Sequence, residues 1–374
     1  MVRDAVSGRG EILVVNVGSS SVKLRLLDRD DTLLAEDDAA ARDDDALRRA
    51  LAGFAQVPDV GHRIVHGGTR YLSAVVVDEE VRAGLAELAA LAPLHQPPAL
   101  AALDTARRAL PRARHVACFD TAFHTTLPPA AFTYAVPAAW RDGLGVRRYG
   151  FHGLSHAYAS KRAAALYGRD GDRLRIVTCH LGAGASLCAV RSGRSIDTTM
   201  GFTPLEGLVM ATRSGSLDPG LVLWLVQQGG LAPAAVEEAL ERQSGLLGLA
   251  GTADMRAVLR AAAEGAAEAR LALDVYIHRL RAEIAAMTAS LGGLDALVFT
   301  GGVGERSAAV RALAAEGLGY LGVALDDARN EAAGASDREI SAAGAGVRSF
   351  VVGAREDLEI AAQVRAIEPG VPAQ

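Results

Sequence analysis

The chain has 374 residues, of which 50% are hydrophobic and 22% are charged. This composition is typical of a folded globular protein and excludes an intrinsically disordered chain, and the length is sufficient for two domains. The formal net charge of −5 lacks the basic excess that most nucleic-acid-binding proteins carry. We therefore expect no nucleic-acid partner.

Targeting and redox signals are weak. Residues 1–10 are polar and lack the apolar core of a signal peptide, and no stretch approaches the ~20 apolar residues of a membrane-spanning helix. Cys118, Cys179 and Cys188 each lie in an apolar, strand-like run. Their odd number and wide spacing fit neither a disulfide framework nor a zinc site. We expect buried reduced thiols in a cytoplasmic protein without membrane contact.

The first part of the chain alternates strand and helix patterns. Charge-rich residues 36–50 are expected to form a loop that passes into a short helix. The other predicted elements, in chain order, are a strand over 11–17, a small-residue turn at 18–21, a strand over 22–27, a strand over 60–66, helices over 79–92 and 98–110, and a strand over 115–119.

The second part repeats the opening pattern. A strand from Arg175, the turn 181–184 and a returning strand over 185–190 follow the layout of residues 11–27, which suggests an internal duplication. The remaining predicted elements are a hairpin at 192–193, a helical region over 217–291, a strand over 295–300 with a glycine turn and a helix after it, a strand over 347–352, and a helix from 356. This alternation predicts an α/β fold.

Two segments of the first part contain candidate anion ligands. The turn in Asn16–Lys23 can bring backbone N–H groups and hydroxyls to an anion, or it is an ordinary polar hairpin. It is not a Walker-type phosphate loop. Arg63 lies in an apolar strand, where a guanidinium needs a carboxylate or a phosphate, so it is either a ligand or half of a structural salt bridge. Asp120 ends a strand, where α/β folds place ligands, or it caps a helix.

Three later segments add candidates. His152 and His156 are four residues apart and share a face if a helix begins there. A metal site would lack a third ligand, so contact with phosphoryl oxygens is the favoured interpretation. Arg213 lies in a loop with Gly and Ser, as a functional or a solvated arginine. The glycines after Thr300 suit a nucleotide packed against exposed backbone.

Together these segments resemble the acetate kinase family from residue 11 to about residue 361. The matching runs, in order, are NVGSSSVK, HRIVHGG, APLHQPP, FDTAFH, YGFHGLSH, CHLGAGASL, MGFTPLEGLVMATRSG and FTGGVGER. The resemblance implies the two-domain α/β fold of sugar kinases, actin and heat-shock chaperones (ribonuclease H-like), with a central interdomain cleft. It implies one lobe of residues 1–124 plus 358–374, and a second of 125–357 that mediates dimerisation. The implied activity is reversible, Mg²⁺-dependent transfer of phosphate between ATP and acetate, with ADP and acetyl phosphate as products, by a homodimer; Mn²⁺ can take the place of Mg²⁺.

The resemblance also implies site residues. The implied catalytic residues are Arg63, Asp120, His152 and Arg213, and the implied metal ligands are Asn16 and Glu356. Arg63 also binds the substrate, together with Val65, Leu94, His95, Phe151 and Pro204. The implied nucleotide-binding residues are Ser19, Ser21, Lys23, His180, Leu181, Gly182, Ala183, Gly184, Asp254, Met255, Arg256, Gly302, Val303, Gly304, Glu305 and Arg306.

The chain departs from the family pattern on the nucleotide side. Ala183 and Arg306 stand where Asn is usual, the Glu356 segment reads AREDL instead of TNEEL, and the region after Leu27 is shorter. These departures affect nucleotide affinity and preference more than the chemistry.

The ionisation of acetate suggests a role for Asp120. A carboxylic acid with a pKa near ~4.3 is already ionised at neutral pH, so the nucleophile needs no general base. We expect Asp120 to orient Mg²⁺-bound water or an arginine. The alternatives are a propionate or butyrate kinase of the same family, a non-catalytic nucleotide-binding sensor, and a sugar kinase, which would need a general base and more polar sugar contacts.

Overall fold

The computed structural model describes residues 10–18, 21–40, 43–93, 95–168, 173–332 and 337–367. The strands of these ranges are β1 Ile12–Val17, β2 Ser21–Leu27, β3 Leu33–Ala40, β4 Asp59–Ile64, β5 Val75–Val76, β6 Arg114–Phe119, β7 Arg175–Leu181, β8 Ala185–Arg191, β9 Arg194–Thr198, β10 Ala296–Thr300, β11 Arg338–Glu339 and β12 Arg348–Val351. The α-helices are α1 Asp44–Leu51, α2 Glu79–Glu87, α3 Gln96–Ala109, α4 Pro129–Phe132, α5 Ala138–Leu144, α6 Gly153–Tyr167, α7 Pro219–Gln227, α8 Pro233–Arg242, α9 Gly245–Ala250, α10 Met255–Ala263, α11 Ala267–Leu291, α12 Gly301–Arg306, α13 Ala308–Glu316, α14 Asp327–Glu331 and α15 Glu356–Ala366.

The described residues form two compact units, each with one six-stranded sheet. Unit 1 is drawn from Met1–Thr125, Phe151–Tyr158 and Arg355–Gln374, and unit 2 from Thr126–Gly150 and Ala159–Ala354. The strand order is β3-β2-β1-β4-β6-β5 in unit 1 and β11-β12-β10-β7-β8-β9 in unit 2. Helices accompany both sheets, which confirms the predicted α/β class with two sheet-containing domains.

The two sheets have the same topology. Each sheet begins with three consecutive antiparallel strands, β1 to β3 in unit 1 and β7 to β9 in unit 2. The first of these strands also pairs in parallel with a central strand, β4 or β10, which pairs in parallel with β6 or β12. A short antiparallel strand, β5 in unit 1 and β11 in unit 2, forms one edge of each sheet. The repeat predicted from two hairpins therefore extends to all six strands of each sheet, as a duplication would produce.

The central parallel strands are buried along most of their length, which their continuous apolar runs predict. Ile12 to Val15 of β1 and all five residues of β10 are buried. In unit 1, α15 lies directly on this sheet: a Cβ added to Gly61 of β4 would sit 2.5 Å from Cγ2 of Ile360. Gly61 is therefore the residue that lets α15 approach β4 closely.

Several sequence predictions need correction. Residues 36–40 belong to strand β3, because Leu33–Ala40 pairs with β2 despite its acidic side chains. Residues 301–304 are not a turn before a helix, since α12 begins at Gly301 itself. The short strands β5 and β11 carry too few residues to produce a periodic pattern, and the sequence did not predict them.

One further prediction is confirmed. Cys118, Cys179 and Cys188 are buried free thiols. Within the described ranges, no helix is long and apolar enough to cross a membrane.

A buried histidine pair lies on the face of sheet 1 opposite α15. Nε2 of His62 on β4 is 2.9 Å from Nδ1 of His115 on β6, and Nε2 of His115 is 3.1 Å from the carbonyl oxygen of Leu110. Because that carbonyl can only accept, Nε2 of His115 carries a proton and its Nδ1 accepts from His62. With this arrangement His115 is neutral, and burial lowers the pKa of both imidazoles, which disfavours their protonation in the folded chain.

We predict that this pair makes the protein less stable in mild acid. The unfolded chain takes up protons on both histidines below about pH 6.5, whereas the folded chain resists protonation. The free energy of unfolding should therefore fall as the pH drops from 7.5 to 5.5, by up to ~1.4 kcal/mol for each histidine. Urea denaturation at the two pH values measures this difference.

The double variant His62→Leu/His115→Leu should show a smaller difference between the two pH values. The matched control is His278→Leu, since His278 is exposed on α11. An equally large pH effect in the double variant would contradict the assignment.

Candidate active site

Three adjacent parallel strands of unit 1 end at one edge of the sheet. Asn16 lies near the end of β1, Arg63 near the end of β4, and Asp120 directly after β6. Since side chains alternate along a strand, residues two positions apart share a face. Val14, Gly61 and Cys118, which pack against α15, each lie two positions before one of these three residues. Asn16, Arg63 and Asp120 therefore continue the face of the sheet that α15 covers.

Arg63 is the centre of this cluster. Its Nε and Nη2 atoms donate to the two carboxylate oxygens of Asp120 at 3.0 and 2.7 Å. Its Nη1 donates to Oδ1 of Asn16 at 3.3 Å and lies 3.3 Å from Oε2 of Glu356, the first residue of α15. Asn16 Nδ2 donates to the same Glu356 oxygen at 2.7 Å. The four predicted residues therefore form one connected polar network.

Burial strengthens this network electrostatically. The side chain of Asp120 is 1% exposed, while those of Arg63 and Glu356 are 15% and 12% exposed. Burial opposes the charge on Arg63, but the carboxylates of Asp120 and Glu356 raise its pKa above the ordinary value. The guanidinium is thus a permanent, partly buried cation with a fixed orientation.

His152 is connected to this cluster through the backbone. Its N–H donates to the Asp120 carboxylate. The next residue, Gly153, donates its N–H to the Asp120 carbonyl at 2.9 Å, and a Cβ on Gly153 would sit 2.1 Å from that oxygen. His152 has a φ of +54°, unusual for a residue with a side chain, and its carbonyl accepts the N–H of His156. A helix does begin in this segment: α6 starts at Gly153, so it contains His156, and His152 precedes it directly.

His156 faces the protein interior. It is fully buried, and its ring lies 5.9 Å from that of His124. Nε2 of His124 is 3.0 Å from the carbonyl oxygen of Phe151. No group of three or more His, Cys, Asp or Glu side chains that could hold a metal occurs in the described ranges. His156 is therefore part of the packing that supports His152 and Phe151.

The predicted apolar residues of unit 1 lie near the same strand ends. Val65 follows β4 and is buried, as is Phe151. The ring of His66 meets that of Phe151 edge-on at 5.6 Å. Gln96, which the sequence did not single out although it lies in the run APLHQPP, accepts the N–H of His66 at 3.2 Å and donates to its carbonyl at 3.1 Å.

The structure also describes three other predicted residues of unit 1. His95 is half-buried at the start of α3, Ser21 is half-buried at the start of β2, and Lys23 on β2 is exposed. Ser19 and Leu94 lie outside the described residues.

In unit 2, two small-residue segments follow neighbouring parallel strands. The turn Gly182–Gly184 follows β7 and is closed by a 3.0 Å hydrogen bond from Gly182 N to Gly184 O. Helix α12, with Gly302 to Arg306, follows β10, and Thr300 of β10 pairs with His180 of β7. His180, Leu181 and α12 therefore lie at the same edge of the sheet, where α/β proteins bind nucleotides.

The other nucleotide-side residues form local contacts. Asp254 caps α10: its carboxylate accepts the backbone N–H of Arg256 at 3.0 Å and pairs with the Arg256 guanidinium at 3.1 Å. Met255 beside them is buried. Oε1 of Glu305 accepts the N–H of Ala354 at 3.0 Å, and Arg306 is exposed at the end of α12.

The loop with Arg213 contacts the glycine turn. The N–H of Ala211 donates to the carbonyl of Ala183 at 3.1 Å. Nη1 of Arg213 donates to the carbonyl of Pro204 at 3.2 Å, and its Nε lies 3.1 Å from Oε2 of Glu241 on α8. Arg213, Pro204 and the turn at Ala183 are thus brought together, although the sequence did not indicate Glu241.

A partly exposed carboxylate holds this loop in place. Glu206 accepts from Nη2 of Arg148 at 2.6 Å and from the hydroxyl of Tyr134 at 2.5 Å. The same hydroxyl accepts the N–H of Phe202 at 3.0 Å. Glu206 lies inside the run MGFTPLEGLVM, so the motif contained it, but neither Tyr134 nor Arg148 carried a signal of its own.

A family assignment follows from comparison with known proteins. The sequence profile of the Acetokinase family matches residues 46–362. This chain belongs to the acetokinase family.

Relatives and solved structures agree with this assignment. The chain is 47% identical to an acetate kinase of Leifsonia xyli subsp. xyli, over 94% of this chain and 97% of the relative. It is 51% identical to an acetate kinase of Gloeobacter violaceus, over 84% and 77%. The crystal structure of Porphyromonas gingivalis acetate kinase superposes with a TM-score of 0.88 at 35% identity, over 96% of this chain and 99% of that one. A propionate kinase from Francisella tularensis subsp. tularensis gives 0.88 at 33%, over 96% and 100%. The structural match to these kinases therefore extends over 96% of the chain.

Proposed function

We propose that this chain catalyses the reversible transfer of the γ-phosphoryl group of ATP to acetate, with ADP and acetyl phosphate as products. The observation that carries this proposal is the network of Arg63, Asp120, Asn16 and Glu356 at the strand ends of unit 1. The network brings together a fixed cation and oxygen atoms that can bind a metal ion. These are the groups that phosphoryl transfer requires, because it depends mainly on positioning and charge neutralisation. Membership of the acetokinase family names the acceptor group as a carboxylate.

Asp120 acts by holding Arg63. Acetate is ionised at neutral pH and attacks phosphorus directly, so no residue has to remove a proton. The Asp120 carboxylate is already engaged by two nitrogens of Arg63 and by the N–H of His152. It therefore fixes the guanidinium, and we infer that Arg63, His152 and Arg213 bind the oxygens of acetate and of the transferred phosphoryl group.

The oxygen donors of unit 1 also suit a magnesium ion that arrives with the nucleotide. Mg²⁺ is commonly bound by one or two carboxylates together with water and substrate phosphates, so it needs no cluster of three acidic side chains. Asn16 supplies an amide oxygen and Glu356 a carboxylate, and the amide nitrogen of Asn16 donates to Oε2 of Glu356 at 2.7 Å. We infer that these two residues hold Mg²⁺, or Mn²⁺ in its place, which would neutralise charge on the phosphate oxygens.

We assign the nucleotide to segments of both units. In unit 2 these are the residues His180 to Gly184, Asp254 to Arg256 and Gly302 to Arg306, and in unit 1 they are Ser19, Ser21 and Lys23. The turn at Gly182 and helix α12 share the carboxyl edge of sheet 2, which supports contact with phosphates and adenosine there. Since ATP is a cytoplasmic substrate, we infer a cytoplasmic enzyme.

Two alternatives remain open to experiment. The propionate kinase superposes as well as the acetate kinase does, so the overall fold does not discriminate between these acids. One methylene in an apolar pocket changes specificity by only ~1–3 kcal/mol. A nucleotide-binding sensor would bind ATP without forming acyl phosphate. A coupled assay with acetate, propionate and butyrate, each with ATP and Mg²⁺ and with hydroxamate trapping of the acyl phosphate, separates all three.

We predict that Arg63→Ala and Arg213→Ala each lower kcat for acetyl phosphate formation by about 100-fold or more, because each removes a donor to the developing charge. Matched controls are Arg70→Ala in unit 1 and Arg242→Ala in unit 2, whose guanidinium groups pair with exposed carboxylates. The controls should retain wild-type kcat. Urea denaturation of every variant separates loss of folding from loss of catalysis, and folded Arg63 and Arg213 variants with normal kcat would refute the proposal.

We also predict that Val65 limits the size of the acid. Val65→Ala should raise kcat/KM for propionate relative to acetate by about tenfold. The smaller side chain enlarges the apolar pocket and leaves room for the longer acid. Val75→Ala is the control, since Val75 is equally buried in the core of sheet 1. An unchanged ratio in Val65→Ala would remove Val65 from the substrate pocket.

Unit 2 carries a surface that suits a second copy of the chain. None of the residues of α7 is buried, although the helix reads PGLVLWLVQ. Leu221, Leu223 and Trp224 are 41%, 59% and 56% exposed, and Leu217 beside the helix is 40% exposed. A contiguous apolar surface of this kind usually marks a protein interface. We infer a homodimer with α7 in its interface.

Light scattering should therefore give a mass twice the chain mass of 38.8 kDa. Leu221→Glu/Trp224→Glu should shift it to that of the single chain, because a charged residue in an apolar interface is left unpaired. Leu72→Glu, at an exposed leucine of unit 1, should leave the dimer intact. A wild type that is monomeric at micromolar concentration would contradict the dimer.

A further inference from the structure

Glu241 is a buried acidic residue that faces the candidate catalytic arginine of unit 2. It lies on the last turn of α8, and its side chain is 13% exposed, against 17% for Arg213. Its Oε2 lies 3.1 Å from Nε of Arg213. Burial raises the pKa of Glu241, and the positive charge of Arg213 opposes that rise. The charge of Arg213 therefore stabilises the ionised form of this carboxylate.

The backbone fixes the distance between the two residues. The hydroxyl of Thr212 donates to the carbonyl of Glu241 at 3.0 Å, and the N–H of Ser214 donates to the carbonyl of Leu240 at 3.1 Å. The N–H of Ser244 donates to the carbonyl of Thr212 at 2.9 Å. These bonds lie on both sides of Arg213 and tie its loop to the end of α8.

Arg213 is also held from the loop itself. Its Nη1 donates to the carbonyl of Pro204 at 3.2 Å and lies 3.8 Å from Sδ of Met210. The Glu241 contact is made by Nε, on another part of the guanidinium. Because two separate atoms of a planar group are constrained, both the position and the tilt of the guanidinium are set.

In unit 1 the guanidinium of Arg63 is held in a similar way by Asp120, whose carboxylate accepts hydrogen bonds from Nε and Nη2 of Arg63. In both units a carboxylate meets Nε, and Nη1 of the arginine donates to another partner, Asn16 for Arg63 and the carbonyl of Pro204 for Arg213. We propose that Glu241 is the positioning residue of Arg213, which orients its guanidinium for the phosphoryl group as Asp120 orients Arg63. This inference rests on the proposed function, since it assigns Arg213 to phosphoryl transfer.

The test measures kcat and KM for acetyl phosphate formation in Glu241→Ala and Glu241→Gln. We expect kcat to fall roughly 10- to 100-fold in Glu241→Ala, as for a misplaced catalytic group, and less in Glu241→Gln, which keeps an oxygen near Nε. KM for ATP should change little. The matched control is Glu238→Gln, one turn away on α8, where the carboxylate is exposed and pairs with Arg242 at 3.5 Å.

A double-mutant cycle separates positioning from a general structural role. If Glu241 acts through Arg213, then Glu241→Gln added to Arg213→Ala should cause no further loss of kcat. A further loss of equal size in both backgrounds, or wild-type kcat in both Glu241 variants, would overturn the inference. If Glu241→Ala fails to fold in urea titrations, the Glu241→Gln cycle decides.

A second readout does not depend on activity. Phenylglyoxal modification, measured at each arginine by mass spectrometry, should proceed several-fold faster at Arg213 in Glu241→Gln than in wild type, with Arg63 unchanged. An unchanged rate at Arg213 would also overturn the inference. If wild type forms no acyl phosphate while Arg213 still responds, the proposed function fails and the contact between Glu241 and Arg213 stands.

Discussion

The pairing of Arg63 with two carboxylates is the constraint on which the rest of unit 1 depends. A guanidinium that is 15% exposed costs several kcal/mol to desolvate unless charged partners surround it. Those partners come from β6, in Asp120, and from the start of α15, in Glu356. Removing one partner of a buried ion pair typically costs about 3–5 kcal/mol, so strand pairing, the position of α15 and the chemistry of the site are interdependent.

The repeated topology explains where the chemistry lies. In each sheet, the central strands are parallel and their carboxyl ends meet at one edge, and both sets of candidate residues follow those ends. The two units use this edge differently. Unit 1 presents charged side chains around Arg63, whereas unit 2 presents the turn after β7 and helix α12, whose backbone groups can approach a nucleotide closely.

Each of the two candidate arginines is paired with a carboxylate. Asp120 engages Arg63 through two hydrogen bonds at 3.0 and 2.7 Å, while Oε2 of Glu241 lies 3.1 Å from Nε of Arg213. Glu206, which lies between Asp120 and Glu241 in the sequence, accepts hydrogen bonds from Tyr134 and Arg148 and so holds its own loop in place. The folds of an acetate kinase and a propionate kinase fit the chain equally well, so the overall fold does not distinguish between the two acids.

The sequence by itself determined the class of fold, most element positions and the family, because apolar runs, alternating patterns and motifs such as YGFHGLSH are local in the chain. It also identified Arg63, Asp120, Asn16 and Glu356, which the structure joins into one network. Only the tertiary structure decided the partners. Glu241 is 28 residues from Arg213 in the sequence, and each sheet joins segments that are far apart in the chain. Residues 33–40 form strand β3 because β2 pairs with them. Hydrogen bonds and charge pairs act through space, so no local sequence pattern records them.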